Sequence, residues 1–75
     1  KLPSFATIFT KKGCPHCTRA KKLLDDKGII YEEIELNNKL TRRSMLNVTG
    51  GNTTPQVYLD AKYIGTADDL EKFFA

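Results

Sequence analysis

The sequence predicts an α/β fold in the order β-α-β-α-β-β-α: a four-stranded mixed sheet with three helices placed over both faces. Three observations predict it. Short apolar runs bounded by Pro and Gly alternate with segments whose apolar residues recur at helical spacing. The first strand, helix and strand need a long crossover, which makes the two strands a parallel, right-handed pair. A turn at Asp60-Ala61-Lys62 then joins two short strand-like runs as an antiparallel hairpin. The 75 residues make one domain, 1–75, with no repeat, linker or low-complexity tract. A chain of this size buries only about 60% of its unfolded surface, so modest stability is expected.

Residues Ser4 to Thr10 read as a buried strand, with Pro3 before it and Gly13 after it. Pro15 fits the first position of a helix, where a missing N–H costs nothing. Cys17, Ala20, Leu23 and Leu24 form that helix's apolar stripe, and Gly28 ends it. Ile29 to Leu36 is a second strand, with Ile30, Ile34 and Leu36 on one face and Tyr31, Glu33 and Glu35 on the other. Asn37-Asn38 turns the chain into a helix from about Leu40 to Val48, with Met45 and Leu46 inward. Met45 reads as core filler rather than a ligand. Thr49 to Asn52 is a loop. Thr53 to Leu59 follows and holds a strand, with Pro55 at its first residue or on an edge because proline cannot donate in a ladder. Tyr63-Ile64 is its hairpin partner. Thr66-Ala67-Asp68-Asp69 resembles a capping box and opens a last helix, with Leu70, Phe73 and Phe74 as its apolar side.

The chemistry concentrates in Lys11 to Arg19, which holds both cysteines and the one histidine. Cys14 falls at the N-cap of the first helix. Its sulfur there faces unpaired N–H groups and the positive end of the helix dipole. Those conditions favour the thiolate, the form that attacks a disulfide. Cys17 lies one turn on, on the same side. Cys14 is therefore the candidate nucleophile and Cys17 the resolving thiol. An imidazole at His16 can add to the stabilisation of the Cys14 thiolate by charge or hydrogen bonding. A purely structural bridge fits poorly, because so short a loop constrains the unfolded chain little. Structural zinc needs four ligands, and only Cys14, His16 and Cys17 are present, so no metal is expected.

The net charge of +3 comes largely from cations near Lys11, Lys12, Arg19, Lys21 and Lys22, and again at Arg42 and Arg43. Nucleic-acid binding is disfavoured, since the aromatics do not interleave with these cations as a stacking platform requires. Attraction of a small anionic substrate is the better reading, with Lys21, Lys22 and Arg43 as solvated helix surface. No apolar run is long enough to span a membrane. No signal peptide is visible, and a monomer in a reducing, cytoplasmic setting is expected.

At this point the chain resembles the glutaredoxin family, in its dithiol CPxC form. The residues that carry the likeness are Thr10-Lys11, Cys14-Pro15-His16-Cys17, Thr53-Thr54-Pro55-Gln56 and Ile64 to Leu70. Their order and spacing match over nearly the whole chain. The resemblance implies a thioredoxin-like fold, a cis peptide at Thr54-Pro55, and glutathione as co-substrate with no tightly bound cofactor. It implies reduction of glutathione mixed disulfides through Cys14 alone and of protein disulfides through Cys14 and Cys17. Lys11 and Arg42 would hold the glycine carboxylate of glutathione. Thr54, before Pro55, would pair strand-like with its cysteinyl residue, beside His16. The N–H groups of Ala67 and Asp68 would hold the γ-glutamyl carboxylate, and Asp68 or Asp69 the amine. The chain departs from the family at His16, where an aromatic is frequent, at Thr54, where Val is common, and at Thr66-Ala67, where Gly-Cys often stands. Two alternatives share these residues. One is a thioredoxin-like electron donor served by a flavoprotein reductase. The other is a module binding an iron–sulfur cluster between two chains, which Pro15 disfavours by restricting the backbone.

Overall fold

A computed structural model describes residues 3–75. The elements are β1 (Phe5–Thr10), α1 (Pro15–Asp26), β2 (Ile30–Glu35), α2 (Arg42–Thr49), β3 (Gln56–Leu59), β4 (Lys62–Gly65) and α3 (Ala67–Phe74). The four strands lie in the order β2-β1-β3-β4. β1 and β2 are parallel, while β3 is antiparallel to both β1 and β4. This is the mixed sheet that the strand, helix, strand and hairpin order requires.

Alternation along β1 divides the sheet into two faces. Ala6 and Ile8 point to one face, with Val57 and Leu59 beside them. Ala20 and Leu24 of α1 and Ala67 and Leu70 of α3 close over that face as the core. α2 lies on the other side, where the Tyr58 hydroxyl donates to the carbonyl of Val48 at 3.3 Å. Met45 is its buried anchor. Leu46, expected inward, is exposed instead. The short helix covers only part of its face, and Leu46 falls on the uncovered side.

The two faces of β2 divide as the alternation expects. Tyr31 packs against the core, and Glu33 sits on the same face. Ile30 is 74% exposed. The crossover places β2 at the sheet edge, so its second face is thinly covered.

Local signals set the ends. α1 starts at Pro15 with Cys14 as N-cap. Gly28, with φ of 71°, turns the chain out of it. α2 begins at Arg42, two residues later than the spacing suggests. Thr41 takes the cap by accepting from the Ser44 N–H at 3.2 Å, and Leu40 donates its N–H to Asn37 Oδ1. Gly50 ends α2 in the left-handed region. The Thr54-Pro55 peptide is cis, and β3 starts only after it. The Thr66 capping box is present in full. Among the described residues no helix is long and apolar enough to cross a membrane.

Candidate active site

The site lies beyond the C-terminal end of β1, where α1 begins. Cys14 has extended backbone, with φ of −110° and ψ of 99°, and its sulfur accepts the Cys17 N–H at 3.2 Å. One of the unpaired N–H groups of the first turn is thus aimed at sulfur. Cys14 and Cys17 are joined as a disulfide, with Cα atoms 5.2 Å apart. The step from the N-cap to the first turn of α1 brings the two sulfurs within bonding reach. Cys17 is 2% exposed and Cys14 lies at the surface side of the pair.

The loop before β3 comes up against that sulfur. Thr54 places its carbonyl oxygen 3.7 Å and its hydroxyl 3.4 Å from Cys14 Sγ. In the disulfide the sulfur carries no proton, so the Thr54 hydroxyl is the donor. This is a contact that a valine at that position could not make. The cis Thr54-Pro55 bond forms the corner of the loop.

A cavity of about 270 Å³ opens between the start of α1, this loop and the start of α3. Of the residues singled out from the sequence, it brings together His16, Thr54, Pro55, Ala67 and Asp68. Cys14 lies on the ridge beside it and lines a neighbouring hollow with Lys11, Lys12 and Glu35. Arg42 is in neither. It lines a third depression with Thr41, Arg43 and Asn52. Asp69 is turned away to its own helix cap, where its carboxylate accepts from the Thr66 N–H at 2.9 Å and the Thr66 hydroxyl at 3.0 Å. Those two bonds lower its pKa.

Three further residues line the cavity: Arg19, Thr53 and Thr66. Arg19 is the most consequential. Its guanidinium bridges α1 to α3 by pairing with Asp68 at 2.9 Å and Glu71 at 2.6 Å. The bonds to Asp68 and then Glu71 raise its pKa further. It also donates to His16 Nδ1 at 3.1 Å. Arginine has no acceptor, so the imidazole nitrogen must accept there. The ring nitrogen nearest Arg19 is therefore occupied by Arg19. Spacing alone hinted at this, because residues three apart share a helix face. Its acidic partners lie 49 and 52 residues further along the chain, which no local pattern reveals.

The neighbouring hollow beside Cys14 carries a second cluster. Glu33 accepts from the Thr10 hydroxyl at 2.6 Å and from Lys21 Nζ at 3.2 Å. The Thr10 bond is the larger cause of its lowered pKa, followed by Lys21. Among the described residues no group of three or more His, Cys, Asp or Glu side chains is placed to hold a metal ion.

A paired CxxC at a helix start, a cis-proline loop against the first sulfur and a cavity between two helix N-termini describe a disulfide-exchange site. A glutaredoxin family model matches residues 6–64. The chain belongs to the glutaredoxin family. Its Cys14-Cys17 pair is that of a CxxC, dithiol-type member. The chain is 54% identical over 69 residues to the hybrid peroxiredoxin hyPrx5 of Haemophilus influenzae, covering 92% of this chain and 29% of that protein. It therefore spans less than a third of that relative's length. It is 44% identical over 64 residues to glutaredoxin 3 of Escherichia coli, covering 84% of this chain and 77% of the relative. Among solved structures, the buckwheat glutaredoxin–glutathione complex superposes with a TM-score of 0.81 at 33% identity, covering 92% of this chain and 66% of that one. The thioredoxin-like arrangement expected from the glutaredoxin motifs is the one observed.

Proposed function

We propose that this chain reduces disulfides with glutathione as its co-substrate and with no tightly bound cofactor. The observation that carries the reading is the position of Cys14 Sγ: at a helix N-terminus and 3.4 Å from the hydroxyl of Thr54, which lines a cavity sized for part of a small peptide. The buckwheat relative, which is described as a glutathione complex, supports the choice of ligand.

The proposed reaction has two steps. The Cys14 thiolate attacks the glutathionyl sulfur of a mixed disulfide. The substrate's thiolate leaves, takes a proton and is reduced, and Cys14 carries the glutathionyl group. A second glutathione, as its thiolate, then attacks the glutathionyl sulfur. Oxidised glutathione leaves and Cys14 returns as thiolate. With a protein disulfide, Cys14 attacks one sulfur, and Cys17 displaces the resulting mixed disulfide to close the pair. Two glutathione molecules reopen it.

Glutathione offers two carboxylates, one amine and one thiol. Thr54 before Pro55 would pair with the cysteinyl backbone as a short strand. The N–H groups of Ala67 and Asp68, at the start of α3, would take the γ-glutamyl carboxylate. Asp68, which lines the cavity and is shared there with Arg19, is the candidate for the amine; Asp69 lies outside the cavity, in its cap. Lys11 and Arg42 would approach the glycine carboxylate from the flanking hollows, with His16 along the cavity wall. Among protein substrates, the similarity to a hybrid peroxiredoxin favours an oxidised peroxiredoxin cysteine.

The test is a glutathione-coupled assay on a small glutathione mixed disulfide, with an oxidised peroxiredoxin as a second substrate. The reading expects a rate that saturates with the mixed disulfide and is lost in Cys14→Ser. Reduction driven by a flavoprotein thioredoxin reductase, with no response to glutathione, would replace it with the thioredoxin-like alternative.

A further inference from the structure

Gln56 is 1% exposed, yet its amide carries two donor and two acceptor positions. Its Nε2 donates to the carbonyl of Thr53 at 2.7 Å. Its Oε1 accepts from the hydroxyl of Tyr63. The carbonyl of Thr53 can only accept, so the nitrogen must face it and the oxygen must face Tyr63. That chain of donors has one consistent direction, from the edge strand β4 through Gln56 to the loop before β3. Gly51 packs so closely on the amide that a Cβ there would collide with it. The amide is clamped from both sides.

The peptide it grips is the one between Thr53 and Thr54. That bond is trans, since the cis bond is the next one, Thr54-Pro55. In a trans peptide the C=O and N–H point in opposite directions. With the Thr53 oxygen drawn inward to Gln56, the Thr54 N–H is turned away from the interior. Thr54 lines the cavity and its other face meets the Cys14 sulfur. Pro55 has no N–H to offer.

We propose that Gln56 is a positioning residue, oriented by Tyr63, that fixes the Thr53-Thr54 peptide so that the Thr54 N–H faces the ligand's backbone. This rests on the reading that the cavity takes glutathione. It makes Tyr63, on the sheet edge and away from the sulfur, part of how the site recognises its ligand. The reacting sulfur is not touched by this brace, so the effect belongs to binding.

The test compares steady-state kinetics of the full chain with Tyr63→Phe, Gln56→Met and Gln56→Glu on a small glutathione mixed disulfide. Removing one net hydrogen bond from the brace should raise KM about five-fold. Tyr63→Phe should show that rise with kcat kept within about two-fold and little change in Tm. Gln56→Glu should exceed Gln56→Met, because a carboxylate would face the Thr53 carbonyl with two acceptors opposed. Volume is nearly conserved in that variant, so a packing role predicts the reverse order. Tyr63→Phe removes one oxygen from a partly exposed ring and keeps the test open should the Gln56 variants fail to fold. A wild-type KM in Tyr63→Phe, or a fall in kcat at constant KM, overturns the inference. A wild-type protein that does not use glutathione at all overturns the functional reading instead.

Discussion

The backbone N–H of Cys17 points at the sulfur of Cys14 across 3.2 Å. Pro15 between them makes this possible, because it starts the helix one residue after Cys14 and contributes no N–H of its own. The donor belongs to the backbone, so it survives replacement of the Cys17 side chain. The two cysteines can therefore be separated by mutation. Cys17→Ser is expected to retain most activity on glutathione mixed disulfides and to lose most activity on protein disulfides, while Cys14→Ser loses both. Parallel assays on the two substrate classes check this. Equal losses in Cys17→Ser on both would reverse the assignment of nucleophile and resolving thiol.

Acid should weaken the fold through two carboxylates. Asp69 is held below its ordinary range by the Thr66 N–H and hydroxyl, and Glu33 by the Thr10 hydroxyl and then Lys21. A folded-state pKa below the unfolded one gives stability that is complete above the ordinary carboxylate range of about pH 4. It is lost as pH falls through the lower folded values. Urea midpoints measured from neutral to acid pH should drop for the wild type. They should drop less in Asp69→Asn and Glu33→Gln. Parallel curves for all three proteins would show that these carboxylates do not set the acid limb.

The start of α3 depends on the absence of a side chain at Gly65. Its φ is 121°, and a Cβ there would land on the Asp69 carboxylate. Gly65→Ala should therefore strain the backbone and displace the cap together, costing about 1–3 kcal/mol. Thr66→Ala loses only the cap, about 1 kcal/mol. Urea denaturation of both variants gives the order, and a Gly65→Ala protein as stable as wild type would contradict it.

The hairpin between β3 and β4 turns on Asp60 and Ala61, with φ of 48° and 70°. Both are in the left-handed region that a two-residue hairpin favours. Asp60 is compensated by accepting from the Ser4 and Phe5 N–H groups through its side chain. Ala61 carries the strain of its Cβ alone. Ala61→Gly should raise stability by about 0.5–1 kcal/mol, the steric relief at this φ outweighing the extra freedom gained by the unfolded chain. A lower Tm in that variant would show that the unfolded-state cost is the larger.

Much of this was legible in the sequence because local signals governed it. The order of elements, Cys14 as cap, Gly28 as stop, and the Thr66 to Asp69 box all follow from residue types at fixed spacing. The loop Thr53-Thr54-Pro55 was recognisable as a motif, and its cis bond came from family resemblance. What local reasoning missed is tertiary. Which face of β2 turns inward was left open by its alternation; Tyr31 packs on the core and Ile30 is exposed. Leu40 is drawn into the Asn37 turn because the Asn37 side chain caps it, so α2 waits for Thr41. Arg19 joins the cavity through acids that only the folding of α3 onto α1 supplies. Gln56 read as one more strand residue until its amide met Tyr63 and Thr53.

The central claim is that the fold presents the Cys14 sulfur as an anion at the start of α1. The direct measurement is a thiolate titration of the reduced Cys17→Ser protein by ultraviolet absorbance, which leaves Cys14 as the one sulfhydryl. The account predicts ionisation well below that of a free cysteine, at about pH 8.5. A midpoint at or above that value would contradict it.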